Sequence, residues 1–459
     1  MTTTAVVLFT RDLRVHDHPA LTAACRRADR VVPLFVLHDR ILGSRYAAPN
    51  RVAYLLDALH DLRRNLEAAG ATLVVRHGTL TEELASICSE VAADELHLSA
   101  DVSGFATRRE GAIRRLAGDL QMDVHRHPGV TLVEPGAVTP ASSDHFRVFT
   151  PYWRKWVEHD HRTPEPAPAN VPMGDLATTL DRGTIPPLHA LVDGDPASEL
   201  APAGETAARE RLDAWFDGAI GDYEDGRNTM AIDGTSRLSA HLHFGTLSAA
   251  EVASRVDRRR GGHETFLQEL CWRDYNHQLL AARPDLPVED FRSQGDEWRD
   301  EADAIQAWKD GRTGYPIVDA GMRQLVREGF MHNRARMIVA SFLTKHLRID
   351  WRIGAWHFMD HLQDGDLANN FAQWQWTAGT GTDSRPNRMF NPVTQSQRYD
   401  PDGTYIRRYV PELADLDDKA VHAPWEAGAS LFGQAVTDYP PPIVDHAEAR
   451  DRFLSDRGR

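Results

Sequence analysis

The chain has 459 residues, a formal net charge of −15 at pH 7 and 42% hydrophobic residues, which suffices for two or three domains with buried cores. No apolar run is long enough to cross a bilayer, and the N-terminal MTTTAVVLFT lacks the charged region and cleavage site of a secretory signal. Cys25, Cys88 and Cys271 are isolated in the sequence. Neither a disulfide framework nor a zinc site is therefore indicated by the cysteines, and a reducing cytoplasm is the expected compartment.

The first third of the chain alternates short apolar segments with helical patterns. The five predicted strands cover residues 5–9, 31–37, 72–75, 95–98 and 122–125. Such alternation predicts a five-stranded, doubly wound parallel sheet with helices on both faces. Neither GxGxxG nor GxxxxGK[ST] follows the first strand, so nucleotide binding through either of these motifs is not indicated.

The clearest helix of this region is predicted over residues 51–69. Its apolar side chains recur at helical spacing and form one stripe, which consists of Val52, Leu55, Leu56, Leu59, Leu62 and Leu66. Asn50 is a suitable N-cap residue, and Gly70 is suitable for the left-handed position that follows a helix.

From about residue 135 to residue 204, proline-rich tracts interrupt the pattern and predict a long connection between domains. After this connection nearly every segment has a helical pattern. The predicted organisation is an α/β domain over residues 1–134, a linker over residues 135–204 and an all-α domain over residues 205–459.

The negative net charge argues against a protein that binds nucleic acid through a generally basic surface. Lysine is nearly absent, so arginine carries almost all of the positive charge. Arginines crowd three segments, at residues 334–336, 385–388 and 398–408. A local basic patch on an acidic protein is therefore predicted.

Residues 364–392 combine two carboxylates, two adjacent amides, a Trp-Gln-Trp triplet and a loop rich in Gly, Thr, Arg and Asn. Asn369 and Asn370 are poor helix formers, and Trp374 and Trp376 each bring a ring and a donor that needs a partner. Amides beside aromatic rings suit a planar ligand, and the arginine-containing loop suits a phosphate-bearing one. On composition alone, a polar-capped core helix with a surface loop explains the segment equally well.

A helix over residues 266–280 would place Glu269, Trp272, Arg273 and Asn276 on one face, at i, i+3, i+4 and i+7. For a generic helix, a solvated face with one half-buried tryptophan is the simpler interpretation. In residues 330–337, FMHNRARM, one face likewise carries an Asn, an Arg and a Met, and a methionine there usually belongs to the core.

The segment GTSRLS at residues 234–239 follows YEDGR at residues 223–227. Hydroxyls beside an arginine and a glycine can hold a diphosphate, with help from backbone N–H groups. A short polar turn that caps a helix explains TSRLS equally well.

Together these segments resemble the photolyase/cryptochrome family, and within it class I cyclobutane pyrimidine dimer photolyases. The resemblance extends from VLFTRDLRVHDHPAL to YPPPIVDHAEAR, with independent motifs in the same order. It implies an N-terminal α/β domain, a long linker and an all-α FAD-binding domain. The flavin contacts that it implies are Tyr223, Thr235, Ser236, Arg237, Leu238, Ser239, Phe266, Arg273, Arg336, Asp364, Asp366 and Asn370. It also implies that Arg336 pairs with Asp364 beside the flavin ring.

The resemblance also implies which residues meet the substrate. Glu269 would contact the damaged bases through its carboxylate, and the ring of Trp272 would stack on the lesion. The residues implied in catalysis are Glu269, Trp272, Asn333, Met337, Asn370 and Trp376, and those implied in DNA binding are Arg227, Glu269, Trp272, Asn333, Arg334, Arg388 and Gln395. Because repairers of (6-4) lesions carry histidines at the places of Asn333 and Met337, the expected substrate is a cyclobutane dimer.

Three tryptophans, Trp298, Trp351 and Trp374, align with the family's chain of residues that carries electrons from the surface to the flavin. Their spacing alone says nothing, and a buried structural tryptophan is the ordinary interpretation. A further alignment concerns an antenna pocket, where 8-hydroxy-5-deazaflavin is favoured over 5,10-methenyltetrahydrofolate. The residues that resemble this pocket are Arg11, Phe35, Arg51 and Asp101, and His243 stands where a lysine is typical.

The implied function is light-driven DNA repair, with FAD active as FADH− and a dimer that is flipped out of the duplex and split, a carbon–carbon lyase reaction. UV-damaged DNA is the expected partner, and a monomer without a membrane or an obligate protein partner is expected. One alternative is a cryptochrome-type blue-light photoreceptor without repair activity, which is expected to lose Glu269, Trp272 or Met337. Another is an electron-transfer flavoprotein, which would need a glycine-rich phosphate motif in its first domain.

Overall fold

The computed structural model describes residues 2–427 and 438–458, and it contains the parallel sheet that the sequence predicts. The strands are β1 (Thr4–Phe9), β2 (Arg30–His38), β3 (Val74–Gly78), β4 (Glu95–Ser99) and β5 (Asp123–His127). Their order in the sheet is β3-β2-β1-β4-β5, and every neighbouring pair is parallel. The predicted fold class, an α/β N-terminal part followed by helices, is confirmed.

The sheet forms around β1, which is apolar from Ala5 to Phe9. Every residue of β1 is buried, as expected for a strand covered on both faces. The third strand begins two residues later than predicted, at Val74 rather than at residue 72. The backbone N–H of Thr72 donates to the Sδ atom of Met173 instead of joining the ladder.

Between residues 2 and 284, the structure contains twelve α-helices. They are α1 (Pro19–Arg27), α2 (Asp39–Leu42), α3 (Pro49–Ala68), α4 (Leu80–Glu90), α5 (Gly104–Asp119), α6 (Phe149–Trp156), α7 (Leu176–Thr179), α8 (Gly204–Asp217), α9 (Tyr223–Gly226), α10 (Ser239–Phe244), α11 (Ala249–Ser254) and α12 (His263–Ala282). Short 3₁₀ turns lie at Leu188–Ala190 and Ala219–Asp222.

Helix α3 corrects one detail of the sequence analysis. It begins at Pro49 with Ala48 as N-cap, so Asn50 lies in the first turn and the prediction that it caps the helix is wrong. Proline prefers the first helical position because its fixed φ suits the helix and its missing N–H is not needed there. Gly70 has φ +87° directly after the C-cap Ala69, as predicted for a residue in the left-handed region.

The remaining α-helices are α13 (Ala302–Lys309), α14 (Pro316–Glu328), α15 (Asn333–Ser341), α16 (Trp351–His361), α17 (Leu367–Ala378), α18 (Pro392–Tyr399), α19 (Thr404–Tyr409), α20 (Pro424–Ala427) and α21 (His446–Asp456). A π-helical turn, Phe342–His346, follows α15, and 3₁₀ turns lie at Pro411–Leu413 and Ala420–His422. Within residues 2–427 and 438–458, no helix is long and apolar enough to cross a membrane.

The chain forms two compact units. The sheet unit comprises Met1–Pro196, Ala201–Ile220 and Ser236–Pro284, and the helical unit comprises Ala197–Leu200, Gly221–Thr235 and Asp285–Arg459. Helices α8, α10, α11 and α12 thus belong to the sheet unit, although the sequence places them in the all-α domain. The division at residues 134 and 204 stays a prediction about domains, and the compact units divide the chain differently.

Candidate cofactor and nucleic-acid site

The predicted site residues divide between the sheet unit and the helical unit, and each set is described within its own unit. In the sheet unit, α12 carries the predicted polar face. Glu269 and Trp272 are half-buried, whereas Arg273 and Asn276 are buried. The guanidinium of Arg273 donates to two backbone oxygens, of Val130 at 2.6 Å and of Leu242 at 3.1 Å. The part of this face that a ligand can reach is therefore its Glu269–Trp272 portion.

The indole ring of Trp272 is held by aromatic neighbours. Phe149, the first residue of α6, stacks on it with ring centroids 3.7 Å apart and planes within 3° of parallel. Tyr275 meets the indole edge-on at 5.6 Å. Stacking and edge contacts fix the plane of an aromatic ring, so Trp272 presents its ring in one orientation.

A buried carboxylate on α12 binds both the segment before α6 and the end of α6 itself. Asp274 accepts hydrogen bonds from the backbone N–H groups of Leu132 and Val133 and from the Nε1 atom of Trp156, at 2.8–3.0 Å. Burial raises the pKa of Asp274 to about 6, against the lowering effect of Arg273 and of these donors. These hydrogen bonds fix the position of α12 and therefore the position of Trp272 on it.

Phe266 is a buried core side chain, whereas the predicted diphosphate segment is a polar turn with unusual backbone geometry. Phe266 is buried and packs against Trp215, with ring centroids 5.5 Å apart. In the segment 236–239, Arg237 has φ +53°, which is unusual for a residue that carries a side chain, and Arg211 donates to the backbone oxygen of Ser236 at 2.8 Å. Leu238 is buried and Ser239 begins α10. Backbone strain of this kind tends to occur where ligands are held.

The predicted antenna residues lie at the carboxyl edge of the sheet. Arg11 follows β1 and Asp101 follows β4, and their side chains form an ion pair at 3.7 Å. The sheet order places the topological switch point between these two strands, where ligands of open α/β sheets usually bind. Burial opposes ionisation of Asp101, but Arg11 and Arg109 hold its pKa below the usual value.

Three other residues of this edge were singled out by the sequence. Arg11 also donates to the backbone oxygen of His243 at 3.1 Å. Arg51 is buried, and its guanidinium donates to the backbone oxygen of Tyr46. Phe35 is buried in β2. The structure thus joins Arg11, Asp101 and His243, while it gives Arg51 a structural partner nearby in sequence.

In the helical unit, the backbone at Gly234, just before the predicted diphosphate segment, lies close to the backbone at Gly226 in α9. A Cβ atom on Gly234 would lie 2.5 Å from the backbone oxygen of Gly226, so only glycine is tolerated there. Tyr223 is buried in α9, and the Arg227 guanidinium lies 6.0 Å from the centre of its ring. Thr235 is half-buried next to this close approach.

Helix α15 brings together the residues predicted from the FMHNRARM segment. Its N-cap is His332, whose Nδ1 atom accepts from the backbone N–H of Arg334 at 3.1 Å. Arg334 lies over the ring of Tyr399 at 4.4 Å and contacts the Sδ atom of Met337 at 3.8 Å. Asn333 is exposed and Met337 is half-buried, so neither belongs to the core.

The predicted pairing of Arg336 with Asp364 is present. The Nη2 atom of Arg336 lies 2.9 Å and 3.2 Å from the two carboxylate oxygens of Asp364, and its Nε atom donates to the backbone oxygen of Met331 at 2.8 Å. Among the described residues, the Nη1 atom of Arg336 has no hydrogen-bond partner. This group remains available to a negatively charged or oxygen-rich ligand.

Helix α17 begins with Asp366 as its N-cap, which gives one of the two carboxylates of this segment a structural role. Asp366 accepts from the backbone N–H and the Nδ2 atom of Asn369, at 2.8 Å and 2.9 Å. Asn370 donates through Nδ2 to the backbone oxygen of Ala355 at 2.9 Å. This bond fixes the amide so that its Oδ1 atom is the group left to accept a hydrogen bond.

The three tryptophans proposed for electron transfer differ in exposure. Trp298 is half-buried, whereas Trp351 is fully buried and Trp374 nearly so. Trp374 packs directly on the backbone of α16, because a Cβ atom on Gly354 would lie 2.2 Å from its ring. Trp308, which the sequence analysis did not single out, meets Trp374 edge-on at 6.1 Å.

The loop between α17 and α18 is fastened from beneath by a buried lysine. Lys345, on the π-helical turn, donates to the backbone oxygens of Pro386 at 3.1 Å and Arg388 at 2.6 Å. The guanidinium of Arg388 lies 5.1 Å from the centre of the half-buried Trp376 ring. Gln395 is half-buried on α18.

Several arginines of the helical unit are close enough to interact. Burial lowers the pKa of Arg334, and the positive charges of Arg227, Arg398 and Arg388 lower it further. Among the described residues, Arg388 and Arg398 have aromatic partners but no ion-pair partner. These four residues are called the arginine patch below, and Arg334, Arg388 and Arg398 come from the three arginine-rich segments of the sequence.

Comparison with known proteins shows what these features belong to. The family models named DNA photolyase and FAD binding domain of DNA photolyase match residues 5–170 and 266–458. A deoxyribodipyrimidine photo-lyase of Streptomyces griseus is 49% identical and covers 99% of the chain and 99% of its own length. The chain belongs to the photolyase/cryptochrome family.

Two solved photolyase structures share its fold. A class III photolyase from Agrobacterium tumefaciens is 36% identical, with a TM-score of 0.91 over 100% of this chain and 98% of its own. An archaeal photolyase from Sulfolobus tokodaii, described with two FAD molecules and a novel light-harvesting cofactor, is 29% identical, with a TM-score of 0.86 over 99% and 100%. The photolyase/cryptochrome family is therefore established, whereas the assignment to class I is not.

The donor set of the helical unit suits the FAD that this family's binding domain implies. A flavin ring offers alternating nitrogen and oxygen atoms, which need both donors and acceptors. Arg336 supplies an unpaired donor, and Asn370 supplies an acceptor whose orientation is fixed. The close approach of Gly226 and Gly234 provides the compact backbone that a phosphate group requires.

Four residues that support these features escaped the sequence analysis. Phe149 orients Trp272, Asp274 anchors α12, Lys345 holds the arginine-bearing loop, and Gly354 receives the ring of Trp374. No sequence signal identifies the partner in any of these pairs.

Proposed function

We propose that the chain is a light-driven DNA repair enzyme that splits cyclobutane pyrimidine dimers. The observation that carries this proposal is the Glu269–Trp272 portion of α12, where a carboxylate and a rigidly oriented indole stand half-exposed directly before a stretch that is buried from Arg273 to Leu280. A flat ring binds an unstacked base, and a carboxylate accepts hydrogen bonds from a base edge. The sequence relatives named as photo-lyases support the same activity.

FAD is the proposed cofactor, and when bound in its reduced form it would lend the dimer one electron, which returns to the flavin once the two bonds between the bases have broken. Asn370 is proposed to accept a hydrogen bond at flavin N5 through Oδ1, because its Nδ2 atom is already used by Ala355. Arg336 is proposed to stabilise negative charge on the ring. The other proposed contacts are Tyr223, Thr235, Ser236, Arg237, Leu238, Ser239, Phe266, Arg273, Asp364 and Asp366.

Damaged DNA is proposed to bind through the arginine patch, which would attract phosphates without reading sequence. Asn333, Met337, Trp376 and Gln395 are proposed to line the place of the flipped bases. Because a dimer stacks and pairs poorly, extruding it costs less than extruding normal bases, and this difference helps to select it.

The finer assignments are part of this proposal. Asn333 and Met337, rather than histidines, favour cyclobutane dimers over (6-4) lesions, and class I is the proposed class. Trp298, Trp351 and Trp374 are proposed to relay electrons that reduce the flavin, an interpretation that the exposure of Trp298 and the burial of the other two support. A cytoplasmic monomer is the proposed form of the protein.

The proposed antenna site is the carboxyl edge of the sheet at Arg11 and Asp101, where an open α/β sheet usually binds its ligand. The proposed occupant is 8-hydroxy-5-deazaflavin, with 5,10-methenyltetrahydrofolate as the alternative. The two FAD molecules described for the Sulfolobus relative make a second FAD a further candidate. An absorption spectrum of the purified protein distinguishes these chromophores.

An illuminated repair assay tests the proposal. Purified, chemically reduced protein is incubated with oligonucleotides that carry either a cyclobutane dimer or a (6-4) photoproduct, with dark samples as controls. We expect light-dependent repair of the cyclobutane dimer alone. Repair of only the (6-4) lesion contradicts the substrate assignment, and repair of neither supports a photoreceptor without repair activity.

A further inference from the structure

Strands β4 and β5 carry an unusual set of side chains on one face of the sheet. The parallel register pairs Glu95 with Asp123, His97 with His125 and Ser99 with His127. Because side chains two residues apart share a face, two carboxylates, three imidazoles and a hydroxyl lie on it. His97 is fully buried, Glu95 is mostly buried and His125 is partly exposed.

The ligand atoms of three of these residues have the spacing of a metal site. Oε2 of Glu95 lies 3.0 Å from Nε2 of His97 and 3.6 Å from Nε2 of His125. All three atoms lie within 4.8 Å of one another. Around a tetrahedral zinc ion with bonds of about 2.1 Å, neighbouring ligand atoms are about 3.4 Å apart. The observed distances bracket this value.

A fourth residue orients the buried ligand. The second ring nitrogen of His97, Nδ1, lies 3.0 Å from Nε2 of His127. Histidine ligands typically donate their other N–H to such a partner, which fixes the tautomer and the plane of the ring. If His97 binds a cation through Nε2, its Nδ1–H is therefore already provided with an acceptor.

A positive charge already sits beside these ligands. Arg27, in the last turn of α1, donates to both oxygens of Glu95, at 2.8 Å and 3.1 Å, and its Nη2 atom lies 3.4 Å from Nε2 of His125. Its side chain is 50% exposed, so the guanidinium can leave without breaking the core. Arg27 thus supplies the positive charge beside Glu95 that a bound metal cation would supply in its place.

We propose that Glu95, His97 and His125 bind a divalent cation of the zinc class, with His127 as the residue that positions His97. Two imidazoles and one carboxylate match the ligand preference of Zn²⁺, and a water molecule would complete the tetrahedron on the exposed side of His125. The cation would link the edge strand β5 to β4. None of these four residues is among the proposed contacts of FAD, the antenna or DNA.

Zinc titration of the tag-free protein, with its flavin retained and after dialysis against a chelator, tests the proposal. Isothermal titration calorimetry with ZnCl₂ alone is expected to give one strong site per chain, with a Kd of about 1 μM or tighter. Because the chain has 22 histidines, weak binding elsewhere is expected, and the variants decide the assignment.

His125→Asn, at a partly exposed position, is expected to abolish the strong site, and His127→Phe to weaken it about 10–100-fold. Arg27→Gln is expected to tighten binding about tenfold, since a competing cation is removed. His60→Asn, an exposed histidine on α3, is the matched control and should change nothing. Circular dichroism and flavin content verify that each variant is folded.

Absence of a stoichiometric site in the wild-type chain overturns the proposal, as does a strong site that survives His125→Asn. Strong binding by the Arg27→Gln variant alone also overturns it for the native chain, because Arg27 would then be the permanent cation of this cluster. Loss of the site in both His125→Asn and His60→Asn would place it elsewhere on the surface.

Discussion

Trp272 and Trp374 are both central to the proposed reaction, but their surroundings are opposite. Trp272 is half-exposed, with Phe149 stacked on its ring and Tyr275 at its edge. Trp374 is buried and lies on Gly354, with Phe358 and Trp308 edge-on to its ring. An exposed, oriented ring suits a ligand that arrives and leaves, whereas a buried ring in van der Waals contact suits electron transfer within the protein.

The largest expected effect comes from Trp374→Phe. Phenylalanine keeps an aromatic ring at the site but is much harder to oxidise, so photoreduction of oxidised FAD by an external donor should fall at least about tenfold. Repair by chemically reduced enzyme should survive, because that electron passes from the flavin to the dimer. Flash-photolysis kinetics and a repair assay measure the two steps. Unchanged photoreduction in the variant means that Trp374 is an ordinary core residue.

Trp272→Ala should have the opposite profile. Base–aromatic stacking is worth about 1–3 kcal/mol, so the affinity for dimer-containing DNA should fall about tenfold to a hundredfold. Affinity for undamaged DNA and its salt dependence should change little, because phosphate contacts dominate them. Filter binding to both DNAs, with flavin content as a control, measures this. Loss of flavin with intact lesion discrimination would show that this face of α12 meets the cofactor instead.

The sequence predicts the elements that carry these two tryptophans but not their partners. The parallel sheet and the polar face of α12 follow from local periodicity, and the ion pair of Arg336 and Asp364 follows from the family resemblance. Phe149 and Gly354 were missed because the contacts that they make join elements distant in sequence. Periodicity reports which face of a helix is buried, and it does not report what covers that face.

Phe149→Leu tests whether the stacking partner of Trp272 contributes to lesion binding. Leucine keeps apolar bulk next to the indole but cannot stack in parallel, and aromatic pairs are worth about 0.5–1.5 kcal/mol beyond their buried area. We expect a loss of dimer-DNA affinity of about threefold to tenfold, smaller than that of Trp272→Ala, with no change for undamaged DNA. Phe149→Tyr, which retains the stack, is the control. An equal loss in both variants would mean that Phe149 does not act by orienting Trp272.

Gly354→Ala makes the matching test for Trp374. The added Cβ atom would overlap the indole, since it would lie 2.2 Å from the ring, and overpacking of this kind typically costs about 1–3 kcal/mol. We expect a lower midpoint of urea unfolding and slower photoreduction, with dimer-DNA affinity unchanged. Gly118→Ala, on α5 where no atom lies within 4 Å of the new Cβ, controls for a general effect of glycine replacement.

The smallest expected effect concerns the arginine patch, which neither tryptophan substitution should disturb. Lys345 holds the loop through the backbone oxygens of Pro386 and Arg388, so Lys345→Met should loosen the loop. We expect a loss of affinity of about twofold to threefold, equal for damaged and undamaged DNA because phosphate contacts carry no lesion information. Lys419→Met, at an exposed lysine, is the control. A loss restricted to damaged DNA would place this loop at the lesion.

The pH dependence of Lys345 gives an independent check on its role. Burial, together with the positive charges of Arg457 and Arg388, lowers the pKa of Lys345 to about 7 against the opposing effects of Asp383 and Asp296. In the unfolded chain a lysine keeps its proton up to about pH 10.4. Between about pH 7 and pH 10 the unfolded state therefore binds more protons at this site, and linkage requires that the site's contribution to the free energy of unfolding rise with pH.

The difference in unfolding midpoint between wild type and Lys345→Met should grow in favour of the wild type from pH 7 to pH 9. DNA binding should stay nearly constant over that range, because a neutral amine still has two N–H groups for the two backbone oxygens. A stability difference that is independent of pH would show that Lys345 remains charged in the folded protein.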